Sequence, residues 1–227
     1  LATLTGTPIP KIENLGSSIN ALSNSMATSS QEIVDSMMRS AGALSNLGVS
    51  ATQMPALSAA LNEVSESSER AGTRLRRFAQ ELVEPGKIED LAGAMGMSTS
   101  AFTQMRDESP VELIRKMAER FQAGGEAADQ MRSTLSSTSR QTISSLSQNI
   151  DGLNTALGQS ESAFEENTSL QREFDAAVQT TTNQLSLLWN QTKRTARLFG
   201  AELLPTINRG IERVSSFLKP LNQWMQA

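Results

Sequence analysis

Three groups of residues have the types and spacing that chemistry or recognition would need. Near the C-terminus, Lys193, Arg194, Arg197, Arg209, Arg213 and Lys219 outnumber Glu202 and Glu212 and alternate with Trp189, Phe199, Phe217 and Trp224. A basic amphipathic stretch of this kind could lie on an anionic membrane or line a lumen that DNA passes through, though the solvent face of a helical assembly is the simpler reading. Further upstream, Arg70, Arg74, Arg76 and Arg77 lie among Glu63, Glu66, Glu69, Glu81 and Glu84. Such alternating signs predict a solvated, ion-paired helix face with negligible DNA affinity. The third group is Leu91 to Phe102, two short helical patterns around Gly96 with Ser98 opening the second, the layout of a helix-turn-helix. A reading helix must offer side chains to phosphates and base edges. This one offers Gln104 and Arg106 beside Asp107 and Glu108, so a plain two-helix corner is expected.

No catalytic set emerges. The 227 residues contain no cysteine and no histidine, which removes thiol nucleophiles, thiolate metal sites and the commonest general base. The carboxylate pairs Glu89-Asp90 and Glu165-Glu166 are sequence neighbours, so helical geometry sends them to different faces. Gly124-Gly125 lacks the lysine and the preceding strand of a phosphate loop. The expectation is therefore a chain that is not an enzyme and carries no cofactor or metal site.

The elements that position these groups are helical throughout. Apolar residues are 38% and aromatics 4%, with no tyrosine, so the core must be built from small aliphatic side chains. Apolar residues recur at three- and four-residue steps, first at Ile12, Leu15, Ile19, Leu22 and Met26. Ser29 with Glu32 forms a capping box before Ile33, Val34, Met37, Met38, Ala41 and Leu44, and Gly48 closes that helix. Ser50 with Gln53 opens the next, carrying Met54, Leu57, Leu61 and Val64. Ala71, Leu75, Phe78 and Leu82 follow, ending before Pro85-Gly86. A short helix closes at Gly96, and Ser109-Pro110 with Glu112 signals a serine-capped start with proline in the first turn. Period-two alternation is absent, so the fold class is all-α.

Beyond Gly125 the punctuation weakens. The Ser/Thr-rich stretch 133–142 predicts a frayed helix or connector. Ile143, Leu146, Ile150, Leu153 and Leu157 form one continuing stripe, and 158–168 reads as a polar loop. The most regular pattern is the last: Leu204, Ile207, Ile211, Val214, Leu218, Leu221 and Met225, alternating three- and four-residue steps. That average of about 3.5 residues is coiled-coil spacing, with Pro220 expected to kink it. An apolar strip this long needs a partner, and a homo-oligomer, favoured as a trimer, is the simplest. The expected organisation is a compact bundle of short helices over 1–125, a helical connector over 126–167, and longer amphipathic helices over 168–227. No apolar run approaches the ~20 residues of a membrane span. A start at Leu1 and a stop just after the stripe read as a fragment of a longer polypeptide.

From Ile19 to Phe121 the ordered series of blocks resembles the core of phage tail tape-measure proteins. Those blocks are SQEIVDSMMRSAGAL and GVSATQMPALSAAL between Ser30 and Leu61, the arginine-bearing helix Ala71 to Leu82, LAGAMGMSTSAFTQM, and SPVELIRKMAERF. The downstream LNTALGQSESAFEENTSLQREFDAAVQTTTNQLSLLWNQ and GAELLPTINRGIERV are similar to that family's following region. The resemblance implies a helical protein in the tail lumen or tip that sets tail length during assembly and takes part in genome ejection. Its partners would be tail-tube and tail-tip or baseplate hub proteins, in the virion and, during assembly, in the host cytoplasm. It brings no catalytic residues. The alternatives are a non-viral coiled-coil or signalling fragment, or a membrane- or DNA-contacting module.

Overall fold

Serine, proline and glycine punctuation cuts the apolar stripe into separately bounded helices. The computed structural model describes residues 5, 7–8, 11–169, 172–173, 175–180, 184 and 186. Among the described residues there is no strand, and ten helices follow one another: α1 Ile12–Ser25, α2 Ser30–Asn46, α3 Gln53–Asn62, α4 Ser68–Leu82, α5 Pro85–Ala94, α6 Thr99–Glu108, α7 Pro110–Ala123, α8 Gly125–Thr134, α9 Ser137–Gln148 and α10 Ile150–Glu166. All ten belong to one compact unit, Leu1–Arg172, and Glu173–Ala227 is a second unit. No described helix is long and apolar enough to cross a membrane.

The all-α fold class and most of the expected boundaries hold. The Ser29 hydroxyl accepts from the Glu32 amide at 3.2 Å, and the Glu32 carboxylate accepts from the Ser29 amide at 2.7 Å. These bonds, the backbone one foremost, hold the Glu32 carboxyl below its usual range. Gly48 at φ 87° and Gly96 at φ 67° end their helices in the left-handed region that an L side chain enters only under strain. The helix between Gly48 and Gly96 is therefore not continuous, as the caps predict.

Four local expectations fail, each for a packing reason. Ser109 accepts no capping hydrogen bond, because it is also the last residue of the α6 turn and takes φ −148°, ψ 61°. The stretch 133–142 is not frayed: Ser136 accepts from the Ser139 amide and starts α9, whose Ser139 and Thr142 are buried. The stripe through Ile150 breaks at Asn149, whose side-chain amide leaves its own helix and donates to the Ala60 carbonyl at 3.1 Å and to Glu63 at 2.8 Å. Finally, 158–168 is mostly helix, since α10 runs to Glu166 and stops where Asn167 adopts φ 48°.

The core is aliphatic and alanine-rich. Helices α2 and α4 make the most extensive pairing, with Ile33, Met37, Ala41 and Leu44 buried on one and Ala71, Leu75, Phe78 and Leu82 on the other. Helix α9 covers α4 from a further side and also packs on α7. The α1–α10 contact combines Leu15, Ile19 and Leu22 with Leu153 and Ala156, but its edges are polar. The Asn14 amide donates to the Phe164 carbonyl at 2.6 Å, the Ser18 hydroxyl to the Ser160 carbonyl at 2.7 Å, and the Ser160 hydroxyl to the Thr52 carbonyl at 2.5 Å. Buried hydroxyls thus find backbone acceptors, which is what makes a serine-rich sequence packable.

Candidate interaction surfaces

The corner formed by α5 and α6 is built around one anchor. Ser98 accepts from the Ala101 amide at 3.2 Å and starts α6. Phe102 is the buried residue of that helix and docks it. On the outer side Gln104 donates to Glu108 at 3.1 Å, and Arg106 pairs with Asp107 at 2.7 Å. The one cation of the would-be reading helix is neutralised by its neighbour. The corner fastens α5 to α7 and presents no phosphate-binding group.

The arginines of α4 divide. Arg70 pairs with Glu66 one turn away, and both are exposed, the arrangement expected of a solvated face. Arg76 and Arg77 are also exposed. Arg74 is half-buried and turns into an open groove of about 450 Å³, where it meets Arg132 of α8 and Arg140 of α9. Phe121 forms part of the wall, with the Arg132 guanidinium 4.7 Å from its ring centre. The hydroxyls of Ser137 and Ser144 complete it, and no carboxylate lines the groove. Asp129 pairs with Arg132 from outside at 2.6 Å. Among the described residues no carboxylate lies within ion-pair distance of Arg74 or Arg140.

A second charged feature is structural. Glu81 is buried at 8% exposure at the junction of α4, α5 and α9. It accepts from the Ser136 amide at 3.0 Å and pairs with Lys87 at 3.2 Å. Burial opposes its charge, but the hydrogen bonds from Ser136 and Lys87 prevail and hold the carboxyl below its usual range. It ties the start of α9 to α4, and thereby places Arg140 opposite Arg74.

The carboxylate pairs Glu89-Asp90 and Glu165-Glu166 are exposed, and no group of acidic residues among the described residues could hold a metal ion. The stripe Leu204, Ile207, Ile211, Val214, Leu218, Leu221 and Met225, and the basic stretch around it, lie outside the described residues.

Against this arrangement, a serially capped helical bundle with polar seams, a family model described as phage-related minor tail protein matches residues 2–200. The chain belongs to that family. The match spans the whole capped bundle and most of the downstream region, and covers the quoted blocks up to the one that begins at Gly200. As a phage minor tail protein, the chain has a structural role in the tail, works in the virion tail, and has other tail proteins as its partners. Comparison with curated proteins and with solved structures found no match.

Proposed function

We propose that this minor tail protein is a segment of a tape measure, occupying the lumen or tip of the tail, setting tail length during assembly and taking part in genome ejection. The family match over 2–200 carries the reading, together with the ordered series of helical blocks. The chemistry is compatible with it. The described helices, of at most 17 residues, with aliphatic packing and serine-to-carbonyl seams, can be remade in another arrangement, because no cross-link fixes them. The test is in-frame deletion of the coding region for residues 11–169 in the parent phage, followed by electron microscopy of the tails. A ruler that lies extended as helix loses about 1.5 Å per residue, or about 240 Å over those 159 positions. Tails shortened on that scale support the reading; tails of unchanged length reject it.

The C-terminal stripe gives the proposed means of holding this segment. Leu204, Ile207, Ile211, Val214, Leu218, Leu221 and Met225 form a seam through which copies associate, as a trimer in the favoured form, or through which a tip or hub protein docks. Light scattering on the full chain is expected to give an oligomer, and Ile211→Asp with Leu218→Asp is expected to give a monomer. A wild-type monomer at high micromolar concentration would instead make the stripe an intramolecular contact.

A further inference from the structure

We propose that the groove between α4, α8 and α9 binds the phosphodiester backbone of DNA through Arg74, Arg132 and Arg140. The proposal is independent of the tape-measure reading, since it rests on three guanidiniums from three helices converging on one concavity. Like charges gathered this way repel unless anions sit among them. Asp129 offsets Arg132 from outside the lining, while Arg74 and Arg140 have no carboxylate within ion-pair distance among the described residues, so the groove keeps a positive excess. The chain as a whole carries −4, so the groove is a local reversal of charge rather than part of a generally basic surface.

The lining selects the kind of anion. A guanidinium fork matches the paired oxygens of a phosphate, and the hydroxyls of Ser137 and Ser144 add neutral donors of the type that hold backbone phosphates. Arg132 lies over Phe121, which orients its plane and covers the aromatic face that an apolar side chain of a peptide ligand would use. The groove is open rather than enclosed, which suits a polyanion lying across it better than a sequestered ion. Nothing in it reads base edges, so binding is expected to be independent of sequence and sensitive to salt.

Salt dependence provides the test, using the full chain and a short fluorescent DNA duplex in anisotropy titrations. Three phosphate contacts give a log–log slope near −2.7, so raising salt from about 50 to 200 mM weakens binding about 40-fold. Arg74→Gln with Arg140→Gln leaves one contact, a slope near −0.9, and a weakening of only about 3.5-fold over the same range. Arg76→Gln with Arg77→Gln removes the same charge from the same helix outside the groove and is expected to keep the wild-type slope. Circular dichroism melts establish folding; should the half-buried Arg74 prove necessary for it, the exposed pair Arg132→Gln and Arg140→Gln carries the same expectation. No duplex binding at about 50 mM salt, or an equal loss in the Arg76 and Arg77 control, would overturn the proposal. So would arginine-dependent binding of inorganic phosphate or polyglutamate without binding of the duplex, which would assign the groove to a free oxyanion or an acidic protein segment.

Discussion

Phe78→Ala is expected to lower the unfolding free energy by about 4 kcal/mol, a large share of the roughly 5–15 kcal/mol that holds a domain of this kind. Phe78 is fully buried on α4, the helix that packs against both α2 and α9. The chain has only seven phenylalanines and no tyrosine, so few side chains supply as much buried area. Its neighbours in the core are alanines, leucines and methionines held on short, capped helices. Alanine cannot extend into the vacated space, and helices pinned by Ser67, Ser29 and the Glu81 contacts cannot easily close over it. Both the lost transfer energy and the residual cavity then count. Urea denaturation followed by circular dichroism should show a lower midpoint at an unchanged slope. A loss below about 1.5 kcal/mol would mean that the bundle repacks freely around this position.

The helices were legible in the sequence because their signals are local. A capping box at Ser29 and Glu32, left-handed glycines at 48 and 96, and three-four spacing of apolar residues act within a single turn or two. Expectations failed where a distant element satisfied a polar residue. Ser160 reads as loop until Ser18 and Thr52 give its carbonyl and hydroxyl partners more than a hundred positions away. Asn149 interrupts a good apolar stripe because its side chain is used by Ala60 of α3 and by Glu63 just past the end of that helix. The basic groove was hidden for the same reason. Arg74 looked like its neighbours Arg76 and Arg77, and only the packing of α9 against α4 sets it apart. The weak hint was Arg132 and Arg140 standing in a stretch otherwise short of carboxylates, on either side of the Ser136 cap.

A glycine pair shows how a close helix contact decides the sign of a single substitution. Gly72 lies in α4 where it crosses α2, and a Cβ there would come to 2.6 Å from the Ser36 carbonyl oxygen and 2.8 Å from the Ser36 Cα. Those atoms are backbone, so relief requires the two helices to part rather than a side chain to rotate. Helix propensity alone favours alanine over glycine by about 1 kcal/mol. At Gly72 the overlap outweighs that gain, because separating α2 from α4 loosens the most extensive helix pairing in the unit, with Ile33, Met37, Leu75 and Phe78 on its two sides. Gly72→Val adds a branched side chain at the same point and is expected to destabilise by about 3 kcal/mol or more, the upper range of overpacking. Gly42 on α2 is the control: it is exposed, and a Cβ there meets nothing within 4 Å. Gly42→Ala should therefore stabilise by up to about 1 kcal/mol through propensity and the reduced freedom of the unfolded chain. Thermal unfolding of both variants is the measurement, with opposite shifts expected. If Gly72→Val melts as the wild type does, α2 and α4 are not in close contact at Ser36, and the α2–α4 pairing around which the bundle is built is wrong.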